Sequence, residues 1–262
     1  MVGQRNRINE LVQYLKSIGI VVNIGKNKAR GNKGFFLRKN CEFRIDVAKN
    51  IDEQSTLSVL LHEFAHYIHS KYDKNLLSLD FIFGSYSEDI HQELLNVTVH
   101  AIPKDFAASL FAQKEKLNEQ IHDLSSKIKN YFCDFCISQK YVPIENNLKL
   151  KYKYLIKYDK VNIFNSIYSI DNINEYDDLN EYERYYILLC QKKRHLKKIN
   201  TKISRMNKYY NNQSELFARF FEMYFLNLNK VKMLAPLSSK IMDSVIKSDK
   251  ISEIKKIHEI IF

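Results

Sequence analysis

A mostly helical α+β fold with one small sheet and a long helical insertion is what this sequence predicts, on three observations. Period-two alternation of apolar residues is confined to the first fifty positions, and helical spacing governs most of the remaining chain. Two long charged segments, 104–130 and 180–207, carry apolar seams that suit the two arms of a helical hairpin.

The first element is a helix: Ile8, Leu11, Val12, Leu15 and Ile18 form one stripe, and Gly19 stops it. Ile20 to Ile24 reads as a strand, and Gly34 to Leu37 and Cys41 to Val47 read as two more, joined by a turn at Lys39-Asn40. In the last of these Phe43, Ile45 and Val47 share a face. From Asp52 to about Tyr72 the period turns helical through Leu57, Leu60, Leu61, Phe64, Ala65 and Ile68. Helices are predicted over 87–101 and 104–130, broken at Ile102-Pro103 because proline disfavours helix in the residue before it. Leu110, Leu117, Ile121, Leu124 and Ile128 face a partner seam of Tyr186, Leu188, Leu189, Leu196, Ile199, Ile203 and Met206. Residues 131–179, rich in Lys, Tyr, Asn and Asp, carry no readable period. A helix over 213–226 and a helical tail after Pro236 complete the chain. The domain organisation expected is an N-terminal part over 1–103, a helical arm over 104–207, and a C-terminal part over 208–262 that completes the core.

At 262 residues the chain can bury a substantial core without disulfides. Its net charge of +11 is unevenly spread. Residues 1–50 carry 11 Lys+Arg against 3 Asp+Glu, whereas residues 51–100 carry 2 against 8. An acidic segment suits a cation site, and the basic remainder suits acidic partners or nucleic acid. The first twenty residues are polar, and no apolar run reaches the roughly 18 residues of a membrane span, so neither a secretory leader nor membrane insertion is expected. A reducing cytoplasm is the expected location, with Cys41, Cys133, Cys136 and Cys190 as thiols. Cys133-Asp134-Phe135-Cys136 is a single CxxC and would need further ligands to hold a structural metal.

The acidic segment contains His62-Glu63-Phe64-Ala65-His66. Residues four apart share a helix face, so both imidazoles can aim at one ion with Glu63 beside it. This chain's composition would supply the pattern by chance only about 0.015 times. Such a pair binds Zn2+ that keeps a position open for water, and the glutamate acts as the base. A catalytic zinc takes three protein ligands, so one more is required. His69 follows one turn on, too far along the same helix, and Tyr72 stands where a metzincin would carry its third histidine. Glu88, Glu93, Glu215 and Glu222 are the glutamate candidates. Glu215 leads, in the stretch Ser214-Glu215-Leu216-Phe217-Ala218-Arg219-Phe220-Phe221-Glu222, with small Ala218 permitting close helix approach. Glu93, 27 residues after His66, is the rival, and His100 would make an all-histidine site. Glu215 can also be read as the third residue of a capping box opened by Asn212, and Glu222 as the acceptor that orients a metal-bound histidine. Tyr209 or Tyr210 is a candidate donor to an oxyanion.

On these residues the chain resembles the gluzincin metallopeptidases. The helix, strand, hairpin and HExxH layout looks like the zincin core of ImmA/IrrE-like peptidases, and the Glu215 helix looks like the ligand helix of zincin domains in phage and mobile-element polyvalent proteins and of the lethal-factor group. The resemblance covers about 70 residues and implies a zincin-like core of small sheet, HExxH helix and glutamate helix. It also implies hydrolysis of a protein or peptide substrate. The departure is the 148-residue gap between His66 and Glu215, which has no counterpart in compact members. The alternative is a non-catalytic, nucleic-acid-associated protein of a mobile element with a structural zinc.

Overall fold

A computed structural model describes residues 2–26, 33–39, 42–73, 75–101, 104–134, 141–163 and 166–262. The chain is mostly helical with a small mixed sheet and divides into two compact units, residues 1–102 with 207–262, and residues 103–206.

In the first unit, α1 (Val2–Ser17) packs Ile8, Leu11 and Leu15 inward and ends ahead of Gly19, whose φ of 85° is open to glycine at no cost. Strands β1 (Ile20–Lys26), β2 (Gly34–Lys39) and β3 (Glu42–Ala48) form a sheet in the order β1-β3-β2. β2 and β3 pair antiparallel from Gly34 opposite Val47 to Lys39 opposite Glu42, and β1 lies parallel to β3 on its other side. β2 is therefore an edge strand. The predicted turn residue Asn40 and the predicted strand start Cys41 lie outside the described residues. Ile45 and Val47 are fully buried, whereas Asp46 on the other face is held by Asn23 at 2.8 Å and Arg44 at 2.8 Å.

The sheet leads into α2 (Glu53–Tyr72), capped by Asp52, whose carboxylate accepts the Ser55 N–H at 2.6 Å. Leu60, Leu61, Phe64, Ala65 and Ile68 are fully buried, each large side chain contributing about 1.5–3 kcal/mol by leaving water. The short α3 (Asp80–Phe83) and then α4 (Glu88–Ala101) come next. The chain returns in α9 (Gln213–Leu226), whose Leu216, Phe217, Ala218, Phe220 and Phe221 are fully buried against α2 and α4. Helices α10 (Leu228–Leu234), α11 (Pro236–Lys247) and α12 (Ser252–Ile261) close the core.

The second unit is built on α5 (Lys104–Asp134) and α8 (Glu181–Tyr210), the last four residues of α8 belonging to the first unit. Leu110 and Leu117 cluster with Ile199 and Ile203, and Ile128 packs near Tyr186, so the two helices run antiparallel as their seams predict. Between them lie α6 (Tyr141–Lys151), α7 (Lys153–Tyr158), a hairpin of β4 (Lys160–Ile163) and β5 (Ser166–Ser169), and a 3-10 turn over Ile170–Glu175. Cys41, Cys136 and the side chain of Cys133 lie outside the described residues; Cys190 is a free, partly buried thiol. Among the described residues no helix is long and apolar enough to cross a membrane.

Candidate metal centre

Two helices build the site. The stretch Leu57 to Ile68 turns an apolar stripe toward the core and leaves His62, Glu63 and His66 on the flank that meets the first turn of α9. Phe64 lies against Phe221 at 5.9 Å between ring centroids, and His69 lies edge-on to Phe217 at 6.3 Å. Ala218, fully buried between these aromatics, presents no side chain large enough to hold the helices apart.

At that crossing His62, His66 and Glu215 offer one donor atom each, all within 4.8 Å of one another. The geometry is reciprocal. His62 Nε2 lies 3.4 Å from Glu215 Oε2, and His66 Nε2 lies 3.4 Å from Glu215 Oε1. Each ring is fixed from behind: His62 Nδ1 is 3.1 Å from Glu222 Oε2, and His66 Nδ1 is 2.8 Å from Ser214 Oγ. Glu222 is itself anchored, accepting from the Ser58 hydroxyl and from Arg219 Nη1 at 3.4 Å. An imidazole whose Nδ1–H is engaged presents Nε2 as a lone-pair donor, the arrangement of metal-bound histidines.

The electrostatics show that the site draws positive charge, which a proton on His62 supplies and a metal ion would replace. Burial acts against charge on His62, yet Glu215 and Glu222 outweigh it and push the imidazole up to about 9. Burial would also raise Glu215, but His62 and His66 hold its carboxyl well below the usual range. Burial raises Glu222 too, and the bonds from His62 and Ser58 reverse this. For Glu63 burial wins: its pKa is raised, although His62, His66 and the Phe36 backbone N–H oppose the shift. Glu215 and Glu222, both held in the charged form, thus draw positive charge to the two imidazoles. Glu215 Oε2 is buried without a hydrogen-bond partner, so it has an unused lone pair facing His62. Two imidazole nitrogens and a carboxylate oxygen are a donor set that fits zinc.

Comparison with family models, curated proteins and solved structures finds no match for this chain.

The other sequence candidates lie elsewhere. Glu93 caps α11, accepting from the Leu237 and Ser238 amides at 2.9 and 2.7 Å and from Ser238 Oγ at 2.7 Å. His100 is exposed at the end of α4, and Glu88 is exposed and accepts from Gln92 at 2.8 Å. His69 is fully buried beside Phe81 and engages the Ser78 carbonyl through Nε2 at 3.0 Å; burial lowers its pKa, so it donates as the neutral ring. Asn212 caps α9 through the Ser214 N–H at 2.8 Å while the Glu215 carboxylate turns to the histidines, so the capping-box reading of Glu215 does not hold. Tyr209 sits at the rim, its ring part-exposed and edge-on to Tyr210 at 5.2 Å, and its phenol pKa is raised by burial and by neighbouring Glu215.

Four residues have a place at the site that the sequence reading did not give them: Ser58, Ser214, Arg219 and Gly34. Ser58 stands one turn before His62, and Arg219 one turn after Glu215, so helical spacing places both at the site. Gly34 is different. A Cβ there would meet Val59 Cγ1 at 2.1 Å and Glu63 Oε1 at 3.0 Å, so β2 lies directly on the helix that carries Glu63. Only the packing of β2 on α2 brings those residues together.

Proposed function

We propose that this chain is a zinc-dependent endopeptidase with a zincin-like core of the gluzincin kind, in which His62, His66 and Glu215 hold the metal. The observation that carries this reading is the convergence of both Nε2 atoms on Glu215 while both Nδ1 atoms are held from behind. Three protein donors support a catalytic zinc rather than a structural one, which takes four. A zinc bound there would supply a Lewis acid and an acidified water.

The protein's own groups do the rest. Glu63, raised by burial, accepts the proton of the attacking water and returns it to the leaving amine. Glu222, braced by Ser58 and Arg219, accepts from His62 Nδ1 and so leaves Nε2 for the metal, and Ser214 Oγ, 2.8 Å from His66 Nδ1, holds that ring in place. Tyr209, at the rim beside Glu215, donates to the oxyanion of the tetrahedral intermediate. β2 pairs only with β3 among the described residues, leaving an edge beside Glu63 where an extended substrate peptide adds by main-chain hydrogen bonds. The proposed setting is the cytoplasm.

The test is metal analysis of purified protein with a peptide-library screen comparing wild type with Glu63→Gln. The expected result is about one zinc per chain in both and cleavage by wild type alone. Four protein ligands on a tightly held zinc, with no cleavage by either protein, would instead support the structural, nucleic-acid-associated alternative.

A further inference from the structure

His62, His66 and Glu215 all lie outside the helical unit of residues 103–206, yet that unit holds the densest run of positive charge in the chain. From Lys192 to Arg205 on α8 there are seven Lys and Arg residues in fourteen positions and no Asp or Glu. Lys193, Lys197, Lys198, Lys202 and Arg205 are exposed, and among the described residues none has a carboxylate within salt-bridge distance. The nearby Asp159 is engaged by His195 at 3.0 Å and Gln191 at 2.9 Å instead. On α5, Asp123 is taken by Lys127. A folded protein gains nothing by crowding unpaired like charges on one helix, since pairs at i, i+4 such as Lys193–Lys197 and Lys198–Lys202 repel.

We propose that this strip of α8 is a docking surface for the phosphate backbone of a nucleic acid. Two depressions run along it, one flanked by Lys193, Lys197 and Arg205, the other, of 340 Å³, between α5 and α8 beside Lys116, Lys198 and Lys202. The strip is about 20 Å long at 1.5 Å per residue. A duplex presents roughly one phosphate charge per 1.7 Å, or about a dozen over that length, so the complementarity is extended. The apolar residues of the same stretch, Leu196, Ile199, Ile203 and Met206, are turned onto Leu110 and Leu117 of α5. They leave no exposed apolar face for insertion into a membrane and no aromatic or aliphatic anchor for a protein hot spot. The contact is therefore to phosphates and independent of base sequence.

The experiment is fluorescence anisotropy of the full chain with labelled duplex DNA, single-stranded DNA and single-stranded RNA, over a salt series from 50 to 300 mM. A Lys193→Gln/Lys197→Gln/Arg205→Gln triple variant is compared with a control of equal charge loss, Lys151→Gln/Lys153→Gln/Lys157→Gln, on the same unit. Circular dichroism establishes that both variants are folded. Wild type should bind at least one of the probes with a steep salt dependence. The α8 triple should lose about tenfold or more in affinity at 100 mM salt, and on a duplex its log K against log salt slope should be shallower by about 2.7, from 0.9 per phosphate contact. The control should keep the wild-type slope, and the tightest probe identifies the nucleic acid. Absence of binding to all three probes at 50 mM salt overturns the proposal. So does an equal loss in both triples, or binding to vesicles with anionic lipid in preference to every nucleic acid.

Discussion

Alanine at Gly34 would put a methyl group into the place where β2 lies against α2. Its Cβ would sit 2.1 Å from Val59 Cγ1, 3.0 Å from Glu63 Oε1 and 3.4 Å from Glu63 Cγ. Carbon atoms rest about 3.5–4.0 Å apart, so the first contact is short by at least about 1.4 Å. Val59 is buried and β-branched, and in a helix such a side chain keeps essentially one χ1 rotamer, so the strand has to move instead. The expected destabilisation is about 1–3 kcal/mol, the usual cost of overpacking. Gly34 does not occupy the left-handed region, so backbone strain adds nothing and the whole effect is steric. Val59→Ala removes the obstructing methyl, losing about 1–2 kcal/mol of its own through two buried carbons. Gly34→Ala made in that background should then cost little, a coupling of about 1–3 kcal/mol between the two sites. Urea denaturation followed by far-UV circular dichroism on the four proteins measures it. Zinc content should be unchanged, because His62, His66 and Glu215 lie on α2 and α9. Peptide cleavage by the proposed enzyme should fall and stay low in the double variant, since the 3.0 Å approach to the Glu63 carboxylate survives. A Gly34→Ala protein within about 0.5 kcal/mol of wild type, or one that Val59→Ala does not relieve, would refute the reasoning.

Glu215→Ala should abolish tight zinc binding, whereas Glu93→Ala should keep the zinc and lose about 1–2 kcal/mol of stability by uncapping α11, as metal analysis and denaturation would show; zinc loss in the second variant would contradict the assignment. Glu222→Ala should weaken zinc binding about 10- to 100-fold, with Glu222→Gln recovering part of it, measured by competition with a chelator. Lys71 and buried Glu253 tie α2 to α12: burial opposes charge on Glu253, but Lys71 lowers its pKa, and Glu253 in turn raises that of Lys71. A lowered carboxylate stabilises above its ordinary value of 4.5 and loses that stability as pH falls through the lower folded value; the raised lysine stabilises below 10.5 and loses it as pH rises. Glu253→Gln should therefore flatten both flanks of the melting-temperature profile, and an unchanged profile would remove the pair from the account.

Much of the fold was legible because the core is written in two periods that do not conflict. Ile45 and Val47 of β3 and Leu60, Leu61, Phe64 and Ile68 of α2 stand where their spacing predicts, fully buried. α9 has its predicted bounds, set by Asn212 before it and by Asn227 after it. The strand order was not legible. Alternation marks which face of β3 is buried but not which edge each neighbour takes, and the parallel pairing of β1 with β3 depends on a crossover with no signature in composition. Residues 141–175 were unreadable for another reason. Their elements are four to eleven residues long, no longer than the window over which a period declares itself, and α7 ends on Asp159 at φ 64°, which asparagine and aspartate tolerate.

The proposed third ligand shows where sequence reasoning about a site runs out. Glu93 and Glu215 are both carboxylates on helices that pack into the same core, and spacing from His66 cannot separate them. What stands opposite each one does. α11 begins at Ala235-Pro236 with no side-chain cap of its own, so the amides of Leu237 and Ser238 need an acceptor from elsewhere, and Glu93 on α4 supplies it. The missing cap was visible in the sequence: a helix that opens on Ala-Pro, without Ser, Thr, Asp or Asn before it, has donors in need of a carboxylate. Asn212 makes the opposite arrangement at α9. By taking the Ser214 amide itself it relieves Glu215 of capping, and the glutamate in the first turn is released to face His62 and His66. A glutamate near a helix start is thus available as a ligand when another side chain already serves that helix, and is committed when none does. That criterion assigns Glu215 to the proposed metal site and Glu93 to the fold without reference to their distance from the motif.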